Sequence, residues 1–496
     1  MLLGSLVVGL GLAGSGADHD GVTGADRGAS ATASVPAQTG NRVITTIPLV
    51  SSPIAGTFDP ANGDLYFPDS TFGFEAGDNS SNLTIVSGAT DSIVATSFLG
   101  AYANPQTPTY APSSHEMYVA DQNGSTGIDN VSAYSPTNAL VANIPTGYES
   151  SPTTAVYDPA NQELYVADLT TEAYLEYPFE NVSVVGTLSN TLVTQVPVGG
   201  EPVTGVYDPA DGDLYVPNFD SANGTNVSVI DGATNTVVAT IGGLSAPITP
   251  AYDPINQEVY VPDGGGDNIT VLKGTESVAS IPVGDANTAD LLAPPTVDPA
   301  NGDVFEILWG TDQVLVIGPS NAVVATIGPG VNSFANLAMT YDPINGEMYV
   351  PGYSFYGGSG GILAINATSD AVVAVIDVGG SPQTPTFDPD NDDLYVPNLD
   401  TNNISVIGGG PVAGGSPPPS GGAAPGPGAP FLGLPGVEGY WVIAGLVGVV
   451  FVVVALVVRF RPRRPVPGPG PAGGGPPLPT PPGNAPAPAP VPPPPP

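Results

Sequence analysis

The sequence predicts an all-β chain, an eight-bladed β-propeller of four-stranded antiparallel blades, followed by one C-terminal transmembrane helix. Three observations predict the propeller. A phrase like Tyr-Asp-Pro-Ala-Asn-Gly-Asp-Leu-Tyr-Val-Pro recurs along the body, its spacing fits one blade, and a strand missing from the last copy appears alone at the start. The Asp-Pro pair begins at Asp59, Asp158, Asp208, Asp253, Asp298, Asp342 and Asp388, with a degraded copy at Ala111–Pro112. Successive spacings are 52, 47, 50, 45, 45, 44 and 46 residues. Seven blades is the alternative if the copy around Ala111 or the one around Phe305 is not a blade.

Each unit reads as four strands. In the copy from Pro202 the first is PVTGVYD and the second DLYVP, joined by Pro-Ala-Asp-Gly as a tight hairpin turn. The third is NVSVIDG, entered through a variable loop, and the fourth is NTVVATI. Their alternating side chains predict that both pack between neighbouring blades. Pro68, Pro217, Pro262, Pro351 and Pro397 lack a backbone donor, so each is expected to be the last residue of its second strand. The last copy supplies SPQTPTFD, DLYVPN and NISVIG and then stops. Arg42-Val-Ile-Thr-Thr-Ile-Pro supplies the fourth strand, which would close the ring and leave no open sheet edge.

Outside the repeat the composition changes. Residues 1–17 read as a signal peptide, 18–40 as a flexible segment, 41–408 as the propeller and 409–438 as a Gly/Pro/Ser-rich stalk. Residues 439–459 read as the transmembrane helix. Tyr440 to Val458 is 19 residues without a charge, about 28 Å as a helix, against a hydrocarbon core of about 30 Å. Arg459, Arg461, Arg463 and Arg464 follow, so the positive-inside rule puts the Pro-rich tail, 460–496, in the cytoplasm and the propeller outside. The expected location is the cell membrane, with a single pass.

Charge agrees with that division. The chain of 496 residues has 46 Asp plus Glu against 7 Lys plus Arg, a net charge of -39. All 46 acids precede Arg459, accompanied only by Arg27, Arg42 and Lys273. A nucleic-acid partner would need a basic footprint, so none is expected. A surface so poor in bases fits an acidic exterior, in which most carboxylates would be neutral. Cysteine is absent and histidine is limited to His19 and His115, which removes disulfides, Cys-ligated metals and most triad chemistry.

The motifs Tyr215-Val-Pro-Asn, Tyr395-Val-Pro-Asn and Tyr165-Val-Ala-Asp, followed by Asn226-Val-Ser-Val-Ile-Asp and Thr236-Val-Val-Ala-Thr-Ile, resemble the YVTN-type β-propeller repeat family. The resemblance covers 41–408 and departs from the family at the third motif position, where Pro or Ala stands for Thr. It implies a propeller on an archaeal cell surface, among surface-layer-like proteins, and no single activity.

The Asp-Pro-x-Asn-Gly-Asp phrase superficially resembles a calcium loop but lacks the Glu and flanking helices of an EF-hand, so it reads as a turn and no metal site is assigned. Asp69, Asp121, Asp168, Asp263, Asn218 and Asn398 form a ring just past the second strands, too wide for one ion, and are expected to start the loops that follow. A haem would need an axial ligand such as His, for which the body offers only His115, in the degraded second copy, and a quinone cofactor would need Trp docking motifs where the chain has only Trp309 and Trp441, so no cofactor is expected.

Sequons stand at Asn79, Asn82, Asn123, Asn130, Asn181, Asn223, Asn226, Asn268, Asn366 and Asn403. Six of these open third strands, where the repeat itself calls for Asn. Loops after the second strands carry Phe72, Phe74, Tyr174, Tyr177, Phe179, Tyr353, Phe355 and Tyr356, a candidate binding surface for a protein or glycan partner. The expected function is therefore a non-catalytic, membrane-anchored surface protein for binding, adhesion or envelope structure. The alternative is an extracytoplasmic propeller enzyme or a small-ligand sensor using the central channel.

Overall fold

The computed structural model describes residues 40–408, apart from 71–79, 102, 124–127, 149, 170–179, 220–224, 284–292, 309–310, 312, 329–336 and 353–359. The predicted signal peptide, stalk, membrane span and tail lie outside the described residues. Among those residues there are eight antiparallel sheets and no helix. Blade 4 shows the plan, with Val206–Asp208 innermost, then Asp213–Asn218, Asn226–Asp231 and Thr236–Gly242 at the rim. The copies around Ala111 and Phe305 are both complete blades, the second and the sixth.

Blade 8 is built from both ends of the repeat array. Arg42–Pro48 pairs antiparallel with Asn403–Gly408, from Arg42 opposite Gly408 to Pro48 opposite Asn403. The inner strands are neighbours all the way round, including Thr57–Asp59 of blade 1 against Thr386–Asp388 of blade 8. Hydroxyls tie this inner ring together. Thr57 Oγ1 donates to the Pro108 carbonyl at 2.6 Å, and Thr340 Oγ1 to the Pro385 carbonyl at 2.6 Å.

No single core occupies the centre. Eight separate apolar clusters each fill one junction between adjacent blades, such as Tyr215, Val227 and Val229 against Val259, Val261 and Leu272. The second and third strands supply these clusters, which is why both read as nearly continuous buried runs.

The fourth strands do not pack between blades as predicted. Blades diverge toward the rim, so Thr236–Gly242 is exposed along most of its length and buries only Ile241. In all eight blades this strand carries an extra residue, a β-bulge at Ile44, Val94, Val141, Val193, Val238, Val278, Val324 or Val373, and blades 1 and 2 carry a second, at Leu99 and Thr146. A bulge twists an edge strand and spoils its fit to a second edge, so every rim is blunted against edge-to-edge pairing.

The prolines are also placed differently from the prediction. Pro217 is followed in its strand by Asn218, and both still pair with the third strand, opposite Val227 and Asn226. The first strand explains this. Val206–Asp208 forms a three-residue ladder, and Pro202 then bridges Asn218, so three residues on one strand oppose two on the other. Pro217 turns its donorless nitrogen toward that interruption while its carbonyl accepts the Val203 N–H at 3.0 Å. The same bond recurs at Pro68, Pro262 and Pro397, and at Ala120 and Ala167, which accounts for Pro or Ala at that motif position.

Candidate functional site

The two faces of the ring differ in their connections. First and second strands are always joined by four residues: 60–63, 112–115, 159–162, 209–212, 254–257, 299–302, 343–346 and 389–392. In blade 1, Asp59 Oδ1 accepts the Ala61 N–H at 2.8 Å and Asn62 Oδ1 accepts the Asp64 N–H at 2.9 Å. The Asp-Pro phrase is thus a turn that binds its own backbone. The other six Asp residues of the phrase each make the first of these bonds.

Beside these turns runs a clasp between blades. Tyr260 is fully buried in the second strand of blade 5, and its hydroxyl donates to Asn321 Oδ1 of blade 6 at 2.6 Å. Asn321 lies in the left-handed region (φ 60°), and its Nδ2 donates to Glu258 Oε2 at 2.8 Å. Tyr118 makes the same clasp with Asn190 and Glu116, Tyr165 with Asn235 and Glu163, and Tyr66 with Asn138 and Asp64. At the closure Tyr349 clasps Asn41, just before the N-terminal strand, at 2.8 Å, and Asn41 Nδ2 reaches Glu347 at 2.7 Å.

Blade 6 departs from this pattern. Phe305 replaces the Tyr, and Asp370 stands at the left-handed turn position of blade 7 with a buried Oδ1 that has no partner. Burial first, and the facing Asp370 second, hold the Asp303 carboxyl above its ordinary range. Nearer the opposite face, Glu306 takes the place of a core Val and is fully buried. Its Oε1 accepts the Ala293 N–H at 2.9 Å, the donor that in other blades goes to a backbone carbonyl. Burial pushes the Glu306 carboxyl well above the usual range.

The opposite face carries the connections from second to third strands, and these vary: 71–79, 124–127, 170–179, 219–225, 264–267, 309–312, 353–360 and 399–402. The Asp/Asn ring lies at their roots and is buried rather than open. Each member ends or nearly ends its second strand, opposite a Pro of the first and a sequon Asn of the third. In blade 1 the three are Pro53, Asp69 and Asn82, in blade 4 Pro202, Asn218 and Asn226, and in blade 8 Pro382, Asn398 and Asn403. The ring therefore pins three strands together, a larger role than starting a loop.

Neighbouring turns close over the ring. A Cβ on Gly199 would lie 2.8 Å from Asn218 Cγ, and one on Gly379 would lie 2.6 Å from Asn398 Cγ. Ser151, Glu201, Ala246 and Ser381 precede prolines yet have φ of 49°, 49°, 61° and 53°. A non-Gly residue there costs about 1–3 kcal/mol of strain. Their carbonyls accept N–H groups from Leu169, Phe219, Gly264 and Leu399, fixing the chain where each loop departs.

The sequons follow from the same pinning. In the six that open third strands the third residue is a buried hydroxyl, with Thr84 Oγ1 donating to Asp69 Oδ2 and Ser183 Oγ to Asp168 Oδ2, both at 2.7 Å. Asn82, Asn130, Asn181, Asn226, Asn268 and Asn403 are half-buried members of the ladder. Asn366 ends a third strand on the tight-turn face, where its Oδ1 accepts the Ser369 N–H at 3.0 Å. Asn123 is the last residue of its second strand, opposite Ala103. Asn79 and Asn223 lie outside the described residues, as do Phe72, Phe74, Tyr174, Tyr177, Phe179, Tyr353, Phe355 and Tyr356. His115, the body's only candidate for an axial haem ligand, sits in a left-handed turn with Nδ1 3.0 Å from the Tyr110 hydroxyl.

No family model matches the chain, and no curated protein matches it. Among solved structures it is similar to a chain of "Kuenenia stuttgartiensis Hydrazine Synthase", at 16% identity over 78% of this chain and 99% of that one, with a TM-score of 0.44. It is also similar to a chain of "Crystal Structure of Mitotic Checkpoint Complex", at 10% identity over 79% and 98%, with a TM-score of 0.45.

Proposed function

We propose that this is a membrane-anchored cell-surface propeller of the YVTN-repeat kind that binds a protein or glycan through its loop face and has no catalytic activity of its own. The contrast between the faces carries the reading. One face repeats a four-residue turn eight times, while the other varies its connections from 264–267 to 170–179. Variable loops on a rigid frame are how scaffolds of this type present recognition surfaces. The buried ring and the pinned loop roots support it, because they fix the points of departure whatever the loops contain. The aromatic residues of 71–79, 170–179 and 353–360 supply the apolar contact area a binding face needs.

The test is to replace Tyr174, Tyr177, Phe179, Tyr353, Phe355 and Tyr356 together with Ser in the full-length protein. Capture of envelope proteins or glycans by the detergent-solubilised protein should be lost while the thermal midpoint stays unchanged. A parallel fall in the midpoint would assign these rings to packing and sink the proposal.

A further inference from the structure

Asp168 and Asn218 hold the same position in adjacent blades. Asn218 Nδ2 donates to Asn226 Oδ1, directly opposite, at 2.7 Å, and to Ser228 Oγ at 2.9 Å. Asn398 repeats this in blade 8, toward Asn403 Oδ1 at 2.8 Å and Ser405 Oγ at 3.0 Å. In blade 3, Asp168 is opposite Asn181 and Ser183 Oγ donates to its Oδ2. Asp168 Oδ1 is buried with no hydrogen-bond partner, as are Asn218 Oδ1 and Asn398 Oδ1, but Asn181 Oδ1 is also without one, whereas Asn226 Oδ1 and Asn403 Oδ1 accept from the ring amide. Two acceptors thus occupy the pair position in which blades 4 and 8 place a donor and an acceptor.

Asp121 of blade 2 is a stronger case. It is opposite Asn130, but Ser132 Oγ bonds Asn130 Oδ1 at 3.1 Å and Asn143 Oδ1 at 2.8 Å instead. Neither carboxyl oxygen of Asp121 has a partner, and the residue is 1% exposed. The charged group acting on both Asp121 and Asp168 is another acid, Asp129. The described bases, Arg42, Lys273 and His115, act on neither. An ionised carboxylate so enclosed would be left without compensation.

We propose that the loop-face ring is a proton-binding site. In the folded propeller Asp121 and Asp168 are carboxylic acids, and Asp168 donates to Asn181 Oδ1 the hydrogen bond that Asn218 donates to Asn226. The proton comes from solvent on folding and returns to it on unfolding. Burial first and Asp129 second push Asp121 up to about 7, and burial holds Asp168 well above the carboxylate range. A carboxyl raised in the folded state stabilises the fold fully below its unfolded value of about 4. That contribution is lost as pH rises from about 4 through the folded value, about 7 for Asp121.

The experiment uses the full-length protein with Asp168→Asn and, separately, Asp121→Asn. Infrared spectra at about pH 5.5 should show the carbonyl stretch of a protonated carboxylic acid, weakened in each variant. The thermal midpoint of each should exceed the wild type by a few degrees at about pH 7.5 and match it at about pH 4. A midpoint lowered by Asp168→Asn at about pH 7.5 would mean that an ionised Asp168 accepts from Nδ2 of a reversed Asn181 amide, and would overturn the proposal for that site; the same result for Asp121→Asn would overturn it there. An unchanged infrared band, or failure of both variants to fold, would overturn it for the ring, because a neutral isostere would then be unable to replace the acid.

Discussion

At the tight-turn face Tyr260 donates to Asn321, Asn321 donates to Glu258, and Asn256 donates to Tyr260 at 2.7 Å, so donors and acceptors are matched around a buried ring. At the loop face Asp121 is just as buried and neither of its oxygens is matched. The difference lies in the chemistry of the available side chains. The clasps of the first face pair their acids, such as Glu258, Glu116 and Glu163, with amides. The second places acids beside acids and hydroxyls, and a chain with so few bases can relieve that only by taking up protons. The clasps of one face are therefore completed by hydrogen bonds already present, so pH should act there through turn acids such as Asp342, whereas on the other face it should act on the Asp/Asn ring itself.

The largest effect should come from opening the ring. Removing the chain up to Pro48 takes away the strand paired with Asn403–Gly408, the Asn41 clasp on Tyr349, and Ile47 from the cluster with Leu65 and Tyr395. A loss of about 4 kcal/mol or more is expected, seen as a non-cooperative melt and self-association by gel filtration. Retention of a cooperative, monomeric melt would mean that the face-to-face clasps suffice without closure.

A smaller effect tests the clasp alone. Tyr260→Phe should cost about 1–3 kcal/mol in chemical denaturation, because it strands buried Asn groups. The converse is available at blade 6, where Phe305→Tyr combined with Asp370→Asn would build the missing clasp. That pair should add about 0.5–1.5 kcal/mol. If Tyr260→Phe costs nothing, the clasps do not distinguish this face from the other.

Next comes a titration on the tight-turn face. Burial pushes Asp342 up to about 6, although the N–H groups of Ile344 and Asn345 oppose the shift. Asp342→Asn keeps an acceptor for the turn and removes the charge. Its unfolding free energy should exceed the wild type by about 1 kcal/mol at about pH 7.5 and equal it at about pH 4. The smallest effect belongs to the rim: Val238→Lys, at an exposed bulge, should stay within about 0.5 kcal/mol in the same assay. A larger loss there would show the rim to be packed against something.

Much of the fold is legible in the sequence because the repeat states it eight times. Blade number, hairpin turns and closure by Arg42–Pro48 follow from spacing and from a strand missing at one end. The rim bulge was legible too, as paired apolar residues in an alternating strand: Ile93-Val94, Leu192-Val193, Val237-Val238 and Val323-Val324. The clasps were not legible, since Tyr260 and Asn321 are 61 residues apart and meet only because adjacent blades stack. Nor was the burial of Asp121, whose position looks like any strand end.

What the sequence determined by itself is the local and periodic content: which segments are strands, where Asp-Pro turns reverse them, and that the last blade borrows its fourth strand from the first residues of the array. Only the tertiary structure decided which faces of those strands are buried. It placed the fourth strands in solvent, kept Pro217 inside a strand by interrupting its neighbour, and made the Asn-x-Ser/Thr motif part of a three-strand pin. The reason is that hydrogen-bond partners and solvent exclusion are supplied by neighbouring blades, and no single copy of the repeat contains its neighbour.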